Sequence, residues 1–395
     1  MKTFVQGKDE LDVGKARDFI ESCDNAKLVL VHCSVRDEKT SERFFKELIN
    51  EVDTPFLGVR VDGTATRKGF YQDVFTYAVL CGDFEVEVHE EKINYDDLDE
   101  TADNIAAKVG GWELCITYSS NIIFDGVKID YILRRVQERN PNTQIAGAVS
   151  ASKPTTATKK ELSENKIIYA LIKGVEFDFH MDSGFQLDEN SDLEFEITKA
   201  DDFHIYEING KNAVEEYCRI QHIRPYMLNK IMELSIKPGT VALLKTLSEL
   251  NEVLYEGVLK TIFNILGTEI QENLVEPVFI FKAETEETKK YIVTGSHKPE
   301  GTLLKRMTTT KKQQLEIYNK ITQKHPQTKA MIIDSCSCRQ FWYNFDQKAL
   351  KKELKKINKP FIMSLVFGEF GAKLPYKNKK TNLLNLGTIK AIVFK

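Results

Sequence analysis

Short apolar runs that alternate with segments of helical spacing constrain this chain more than any other feature. Leu28-Val29-Leu30-Val31-His32-Cys33 is a run of the buried-strand kind, and Thr40 to Val52 follows with Phe44, Phe45, Leu48 and Ile49 at helical spacing. Phe56 to Val61 reads as a strand that ends at the turn signal Asp62-Gly63. Tyr77 to Val88 reads as a strand pair broken near Gly82-Asp83. Asp96 to Val109 is a helix with acidic residues in its first turn and Gly110-Gly111 after its end. Trp112 to Tyr118 is a strand, Val127 to Glu138 a helix and Gln144 to Ser150 a strand. This rhythm predicts an α/β lobe.

Lys166 to Phe179 and Asp192 to Ile208 then alternate in the manner of strands. Glu194 to Lys199 has a period of two, which predicts one wet face. Val214 to Gln221 and Val241 to Ile270 carry apolar residues at helical spacing. The second stripe (Leu243, Leu244, Leu247, Leu250, Leu254, Val258, Ile262, Leu266) predicts core packing or a dimer seam. The last third returns to strands at Val278–Phe281, Tyr291–Gly295, Ala330–Asp334, Phe361–Phe367 and Thr388–Phe394, with helices at Lys311–Thr322 and Leu350–Ile357. The expectation is an α/β (α+β) fold of two similar lobes, with mixed β-sheets flanked by helices. A lead-in covers 1–24, one lobe 25–210 and the other 211–395, with a helical insertion at about 219–276 and a ligand cleft where the lobes meet.

Composition narrows the function classes. The chain is 42% hydrophobic and 29% charged, which excludes a disordered or collagenous chain. No apolar run approaches the ~20 residues of a membrane helix. The N-terminus turns acidic at Asp9-Glu10 before an apolar signal core can form, so no secretion is expected. The seven Cys are scattered without any C-x-x-C, which excludes a zinc knuckle or thioredoxin motif and points to a reduced cytoplasm. From Lys289 onward 23 basic residues stand against 6 acidic ones. The Lys residues are not interleaved with aromatics, so the expectation is a solvated basic face and no nucleic acid, with an acidic partner left open.

The chemistry concentrates in two stretches. Ala330 to Asp334 runs out into Ser335-Cys336-Ser337-Cys338-Arg339, and Pro360 to Phe367 runs out into Gly368-Glu369-Phe370-Gly371. Ligands of α/β sheets collect at strand ends. Arg339 can take a carboxylate in bidentate fashion, while Glu369 or Asp182 can take an ammonium. Ser335 and Ser337 add neutral hydrogen bonds, and Gly368 and Gly371 let backbone approach a ligand. Arg339 and Glu369 can equally pair with each other and fasten the two strand ends. Cys336 and Cys338 form a C-x-C pair that lacks further metal ligands in sequence and reads as inert thiols.

These stretches, with Thr381-Asn382 and Gly387-Thr388 after them, resemble the C-terminal half of the FIST sensory domain. Gly174-Val175, His180-Met181-Asp182-Ser183-Gly184, Phe195 to Ala200 and Ile205 to Ala213 resemble the end of its N-terminal half and the junction. The strand ends His32-Cys33-Ser34 and Ile145 to Ala148 also fit, so the resemblance spans roughly 25–390. It implies a cytoplasmic module that senses small molecules such as amino acids and signals to a histidine kinase or chemotaxis receptor. Two departures stand out: His180 to Gly184 replaces a small-residue glycine turn, and Arg219 to Glu276 is longer and more helical.

The expected function is therefore sensing of a small polar ligand without catalysis and without an obligatory cofactor. The expected ligand residues are Arg339, Glu369, Ser335, Cys336, Gly368, Gly371, His180 and Asp182. One alternative is a haem-dependent nitric oxide sensor, with His180 or His222 as axial ligand. The other is an enzyme that uses Cys336 or Glu369. No nucleotide fingerprint, nucleophile elbow or zinc-hydrolase motif occurs.

Overall fold

In the computed structural model the described residues are 2–8, 12–120, 126–150, 156–189, 191, 194–222, 224–225, 228, 244–246, 250–251, 266–271, 274–286, 289–372 and 383–395. Among them one arrangement of elements recurs three times. The first unit holds β1 (Lys2–Lys8), α1 (Val13–Glu21), β2 (Ala26–Cys33), α2 (Glu38–Glu51), β3 (Phe56–Arg60), β4 (Gly63–Thr66), β5 (Gly69–Tyr71) and β6 (Phe75–Cys81). The second holds β7 (Glu85–Lys92), α3 (Leu98–Val109), β8 (Leu114–Ser119), α4 (Gly126–Arg139), β9 (Gln144–Val149), β10 (Thr156–Ala157), β11 (Leu162–Ser163) and β12 (Lys166–Lys173).

The third unit opens with β13 (Phe177–Asp182) and is interrupted by an insertion. The insertion contains β14 (Gln186–Leu187), β15 (Glu194–Ala200), β16 (Ile205–Ile208), β17 (Lys211–Asn212), α5 (Ala213–Ile220), β18 (Leu266–Gln271), β19 (Leu274–Pro277), β20 (Ile280–Glu286), β21 (Lys289–Thr294) and β22 (Leu303–Thr308). The unit resumes with α6 (Lys311–Lys324), β23 (Ala330–Cys336), α7 (Gln347–Leu354), β24 (Phe361–Val366), β25 (Glu369–Phe370), β26 (Leu384–Asn385) and β27 (Ile389–Phe394).

Each unit has the same pairing logic. A parallel pair flanks one helix (β2 with β3, β8 with β9, β23 with β24), and the last strand of the unit runs antiparallel beside the first of that pair. The mixed sheets and flanking helices expected for the α/β class are present. The likeness expected between lobes extends to three units.

The hairpins after the parallel pairs are exchanged in a ring. β4 and β5 of the first unit extend the third unit's sheet at β24; β10 and β11 of the second extend the first at β3; β25 and β26 of the third extend the second at β9. Strands from both sides of position 210 therefore share sheets.

Strand alternation sends one face of every sheet into a common core and the other under helices. Leu28, Leu30 and Val59 meet Ile116, Ala148 and Ile168, and both sets meet Ile332, Ile362 and Ile392. At about 25 cal/mol per Å² of apolar surface, this shared interior is what holds the three sheets together. The outer faces pack on the helices, as where Met331 and Ile333 lie under Ile317, Ile321 and Leu350. Local capping fixes the helix starts. Asp37 accepts from Thr40 N at the head of α2, and Thr310 with Gln313 forms a capping box on α6.

The insertion makes a nine-stranded sheet with its own core around Phe195, Ile197, Ile208, Val214 and Leu304. Leu266–Gln271 and residues 274–276, expected within the helical stretch, instead form β18 and most of β19. β18 pairs with both β19 and β22, so tertiary partners override an apolar spacing that suits either structure. Leu243, Leu247, Leu254, Val258 and Ile262 of the expected stripe lie outside the described residues; Leu244 is buried and Leu250 exposed.

Candidate functional site

At the C-terminal ends of β2, β8 and β23 the inward-facing positions change from aliphatic to polar. His32 follows Leu28 and Leu30, Tyr118 follows Leu114 and Ile116, and Asp334 follows Ala330 and Ile332. The three residues hold corresponding registers, His32 opposite Thr76 and Val59, Tyr118 opposite Ile168 and Ala148, Asp334 opposite Lys390 and Ser364. They converge where the units meet. His32 Nε2 lies 3.2 Å from the Tyr118 hydroxyl, the Ser364 hydroxyl donates to Asp334, and Thr64 and Thr76 share a hydrogen bond.

Glu369 enters this centre from the exchanged strand β25, opposite Ala148 of the second unit. Its Oε2 accepts from the Thr388 hydroxyl at 2.6 Å, while its buried Oε1 has no partner. Lys390 gives its ammonium to the carbonyls of Glu369 (2.7 Å), Gly371 (2.6 Å) and Leu383 (2.8 Å) and to Asn385 Oδ1 (2.6 Å).

Burial dominates the electrostatics of the centre. It pushes Glu369 well above the usual carboxyl range, with Cys336 adding to the rise and Thr388 and Lys390 opposing it. It raises Asp334 to about 7 against the pull of Ser364 and Lys390, and it lowers Lys390 to about 7 and His32 to about 4. Cys336 is also raised well above its ordinary value, first by burial and then by Cys338. At neutral pH His32 is thus a neutral imidazole, and burial favours the neutral form of Glu369. Such groups offer directional hydrogen bonds in a dry setting.

The expected ligand residues do not share one face. Cys336 of the third sheet and Glu369 of the second face the shared interior, and Gly368 and Gly371 bracket β25. The two glycines adopt positive φ (155° and 126°). A Cβ on Gly371 would stand 2.7 Å from both the Ile145 carbonyl and the Phe179 ring, so only glycine lets β25 lie this close to β9 and β13.

Arg339 and Ser335 lie on the opposite, helix-covered face. The Arg339 guanidinium donates to Gln314 Oε1 at 2.9 Å, to the Gln314 carbonyl and to Ser335 Oγ at 3.1 Å, and it sits 5.0 Å from the Tyr318 ring centroid. Ser335 Oγ also meets the Tyr318 hydroxyl at 2.9 Å. Arg339 and Glu369 therefore do not pair. Each Arg339 nitrogen already has an acceptor, which fastens the turn after β23 to α6.

His180 and Asp182 also face the helix side, since Phe177 and Phe179 of the same strand pack on the inner core. The His180 ring stands edge-on to His325 at 5.4 Å; its Nε2 has no partner, and burial lowers it to about 4. Asp182 accepts from Gly184 N at 3.0 Å and thereby shapes the following turn, which Gln314 Nε2 secures through the Ser183 carbonyl. Thr381 and Asn382 lie outside the described residues.

Sequence reasoning missed His32, Tyr118, Asp334 and Lys390. The signal was present as single polar residues inside apolar strands, for example Lys390 within Thr388 to Phe394. Among the described residues no group of three His, Cys, Asp or Glu is placed to hold a metal ion, and no helix is long and apolar enough to cross a membrane.

Comparison with known proteins adds the family. No curated protein matches the chain. The family model of the FIST N domain matches residues 27–211, from β2 through the first strands of the insertion, while the later elements of the third unit lie beyond the match. Residues 27–211 thus match the FIST N domain, which is consistent with a FIST-domain protein.

Proposed function

We propose that the chain senses a small polar ligand, with an amino acid as the first candidate, in the polar centre between its three sheets. FIST domains are small-ligand sensory domains of signalling proteins. The observation that supports this reading is the unpartnered Glu369 Oε1, fully buried beside Thr388 and Lys390. A buried carboxyl oxygen without a partner costs stability unless a bound group supplies one. Glu369, as a neutral acid or as the partner of an ammonium, is the residue that would read the ligand. Lys390 and Thr388 hold it in place, and Gly368 and Gly371 bring its strand against β9.

In this reading the output is a shift between two arrangements of the units, of which the ligand prefers one, read by a separate partner such as a histidine kinase or chemotaxis receptor. The setting is the cytoplasm, which the seven free cysteines support. The function is binding without turnover and without a resident cofactor.

The test is a thermal-shift scan of the protein and of Glu369→Gln against the common amino acids, with haemin as a separate arm. A ligand at about 100 times its Kd adds roughly 2.7 kcal/mol, enough to raise Tm by several degrees. A shift with one amino-acid class that E369Q loses supports the reading. A shift with haemin alone replaces it with the gas-sensor alternative centred on His180 or His222. A shift that E369Q retains moves the site elsewhere.

A further inference from the structure

Arg60 is the last residue of β3 and is only 4% exposed. Leu57 and Val59 of that strand face the shared core, so Arg60 faces the other way, towards α2. Its Nη2 donates to the Arg36 carbonyl in the turn that leads into α2. Its Nε and Nη1 are buried and have no partner, and it forms no ion pair among the described residues. Two idle buried donors leave this guanidinium short of hydrogen-bond acceptors.

The Arg60 charge acts on Asp37 and Asp62, but neither accepts a hydrogen bond from Nε or Nη1. Asp37 caps α2 by accepting from Thr40 N at 2.8 Å, and Asp73 accepts from Arg36 N at 3.2 Å. Burial pushes Asp62 up to about 6. The position has the features of an anion subsite. It lies at the C-terminal end of a parallel strand pair, beside the start of the 14-residue helix α2.

We propose that the idle Nε and Nη1 of Arg60 form a recognition point for a small oxyanion, a carboxylate or a phosphate group, at the strand ends of the first unit. Nε and Nη1 face different edges of the guanidinium, so an oxyanion at either edge would take one charge-assisted hydrogen bond. This site is independent of Glu369, because the two side chains leave their sheets on different sides: Arg60 towards a helix, Glu369 into the shared interior.

The experiment is isothermal titration of the full chain with inorganic phosphate and, separately, with acetate, at constant ionic strength. It compares the wild type with Arg60→Gln, Arg60→Lys and Glu369→Gln. Saturable binding of one probe by the wild type, at least tenfold weaker in R60Q, intermediate in R60K and unchanged in E369Q, is expected. The probe that binds distinguishes a carboxylate ligand from a phosphate. No saturable binding of either probe, or equal affinity in R60Q, overturns the proposal. Should R60Q fail to fold, the Arg60 Nε–H resonance of the wild type is followed during the same titrations. A saturable movement with an oxyanion but not with chloride supports the site, and equal movement with both overturns it.

Discussion

Lys390 stands directly opposite Asp334 across the β27–β23 ladder, yet its ammonium binds three carbonyl oxygens and the Asn385 amide instead of that carboxylate. The carbonyls belong to Glu369, Gly371 and Leu383, which flank the hairpin lent to the second unit. One buried cation thereby holds an exchanged element in place. Lys390→Met keeps the stem and removes the donors, leaving those acceptors buried without partners. The expected loss is about 3–5 kcal/mol in urea unfolding, with hydrogen exchange at Phe370 and Leu384 accelerated first.

Two groups of the polar centre give stability slopes of opposite sign. His32 has its folded value lowered from 6.5 to about 4, so the unfolded chain binds the extra proton and stability falls as pH drops through that window. Asp334 has its folded value raised from 3.8 to about 7, so the folded chain holds the extra proton and stability falls as pH rises through that window. Relative to wild type, Asp334→Asn should tilt the stability profile between about pH 4.5 and 6 by roughly +1.4 kcal/mol per pH unit. His32→Gln should tilt it by a similar amount the other way. Urea midpoints at four pH values decide; parallel profiles for D334N and wild type would remove Asp334 as a proton-holding group.

Arg339 is expected to matter for stability more than for recognition. Its three nitrogens are committed to Gln314 and Ser335, and its plane stacks near Tyr318. Arg339→Lys cannot reproduce that fork and should cost about 2–3 kcal/mol, with any ligand affinity measured on the folded fraction unchanged. A selective loss of affinity at wild-type stability would return Arg339 to the ligand site.

Cys336 and Cys338 lie with their sulfurs 3.0 Å apart, but only Cys338 is partly exposed. A maleimide should label one thiol per native chain, and Cys338→Ser should abolish that reaction. The remaining thiols should react only in denaturant. Labelling of Cys338 faster than a free peptide thiol would revive the enzyme alternative.

The ring of exchanged hairpins sets a limit on fragments. Residues 1–211 would keep β4, β9 and β13 but lose β24, β25 and β27, against which they pair. Such a fragment should expose unpaired edges and apolar faces and fail to unfold cooperatively. Co-expression with residues 212–395 should restore a soluble complex. Circular dichroism melts and size exclusion check both expectations.

The amino-acid sequence by itself determined the elements that rest on local periodicity. The alternation of buried strands with amphipathic helices, and the strand ends at Ser335 and Gly368, follow from side-chain spacing that any isolated segment already carries. Gly371, with its positive φ, likewise marks a close backbone approach. Tertiary structure decided what no local spacing encodes. The two-residue strands β10 and β25 carry too few residues to declare themselves, and exist because β3 and β9 offer them open edges. The face on which Arg339 lies depends on which side of β23 receives α6, and that choice separated it from Glu369. Lys390, Asp334, His32 and Tyr118 look in sequence like interruptions of apolar strands. They become a site only because three sheets from three parts of the chain close on one interior, where burial sets their protonation and leaves Glu369 with an oxygen to offer.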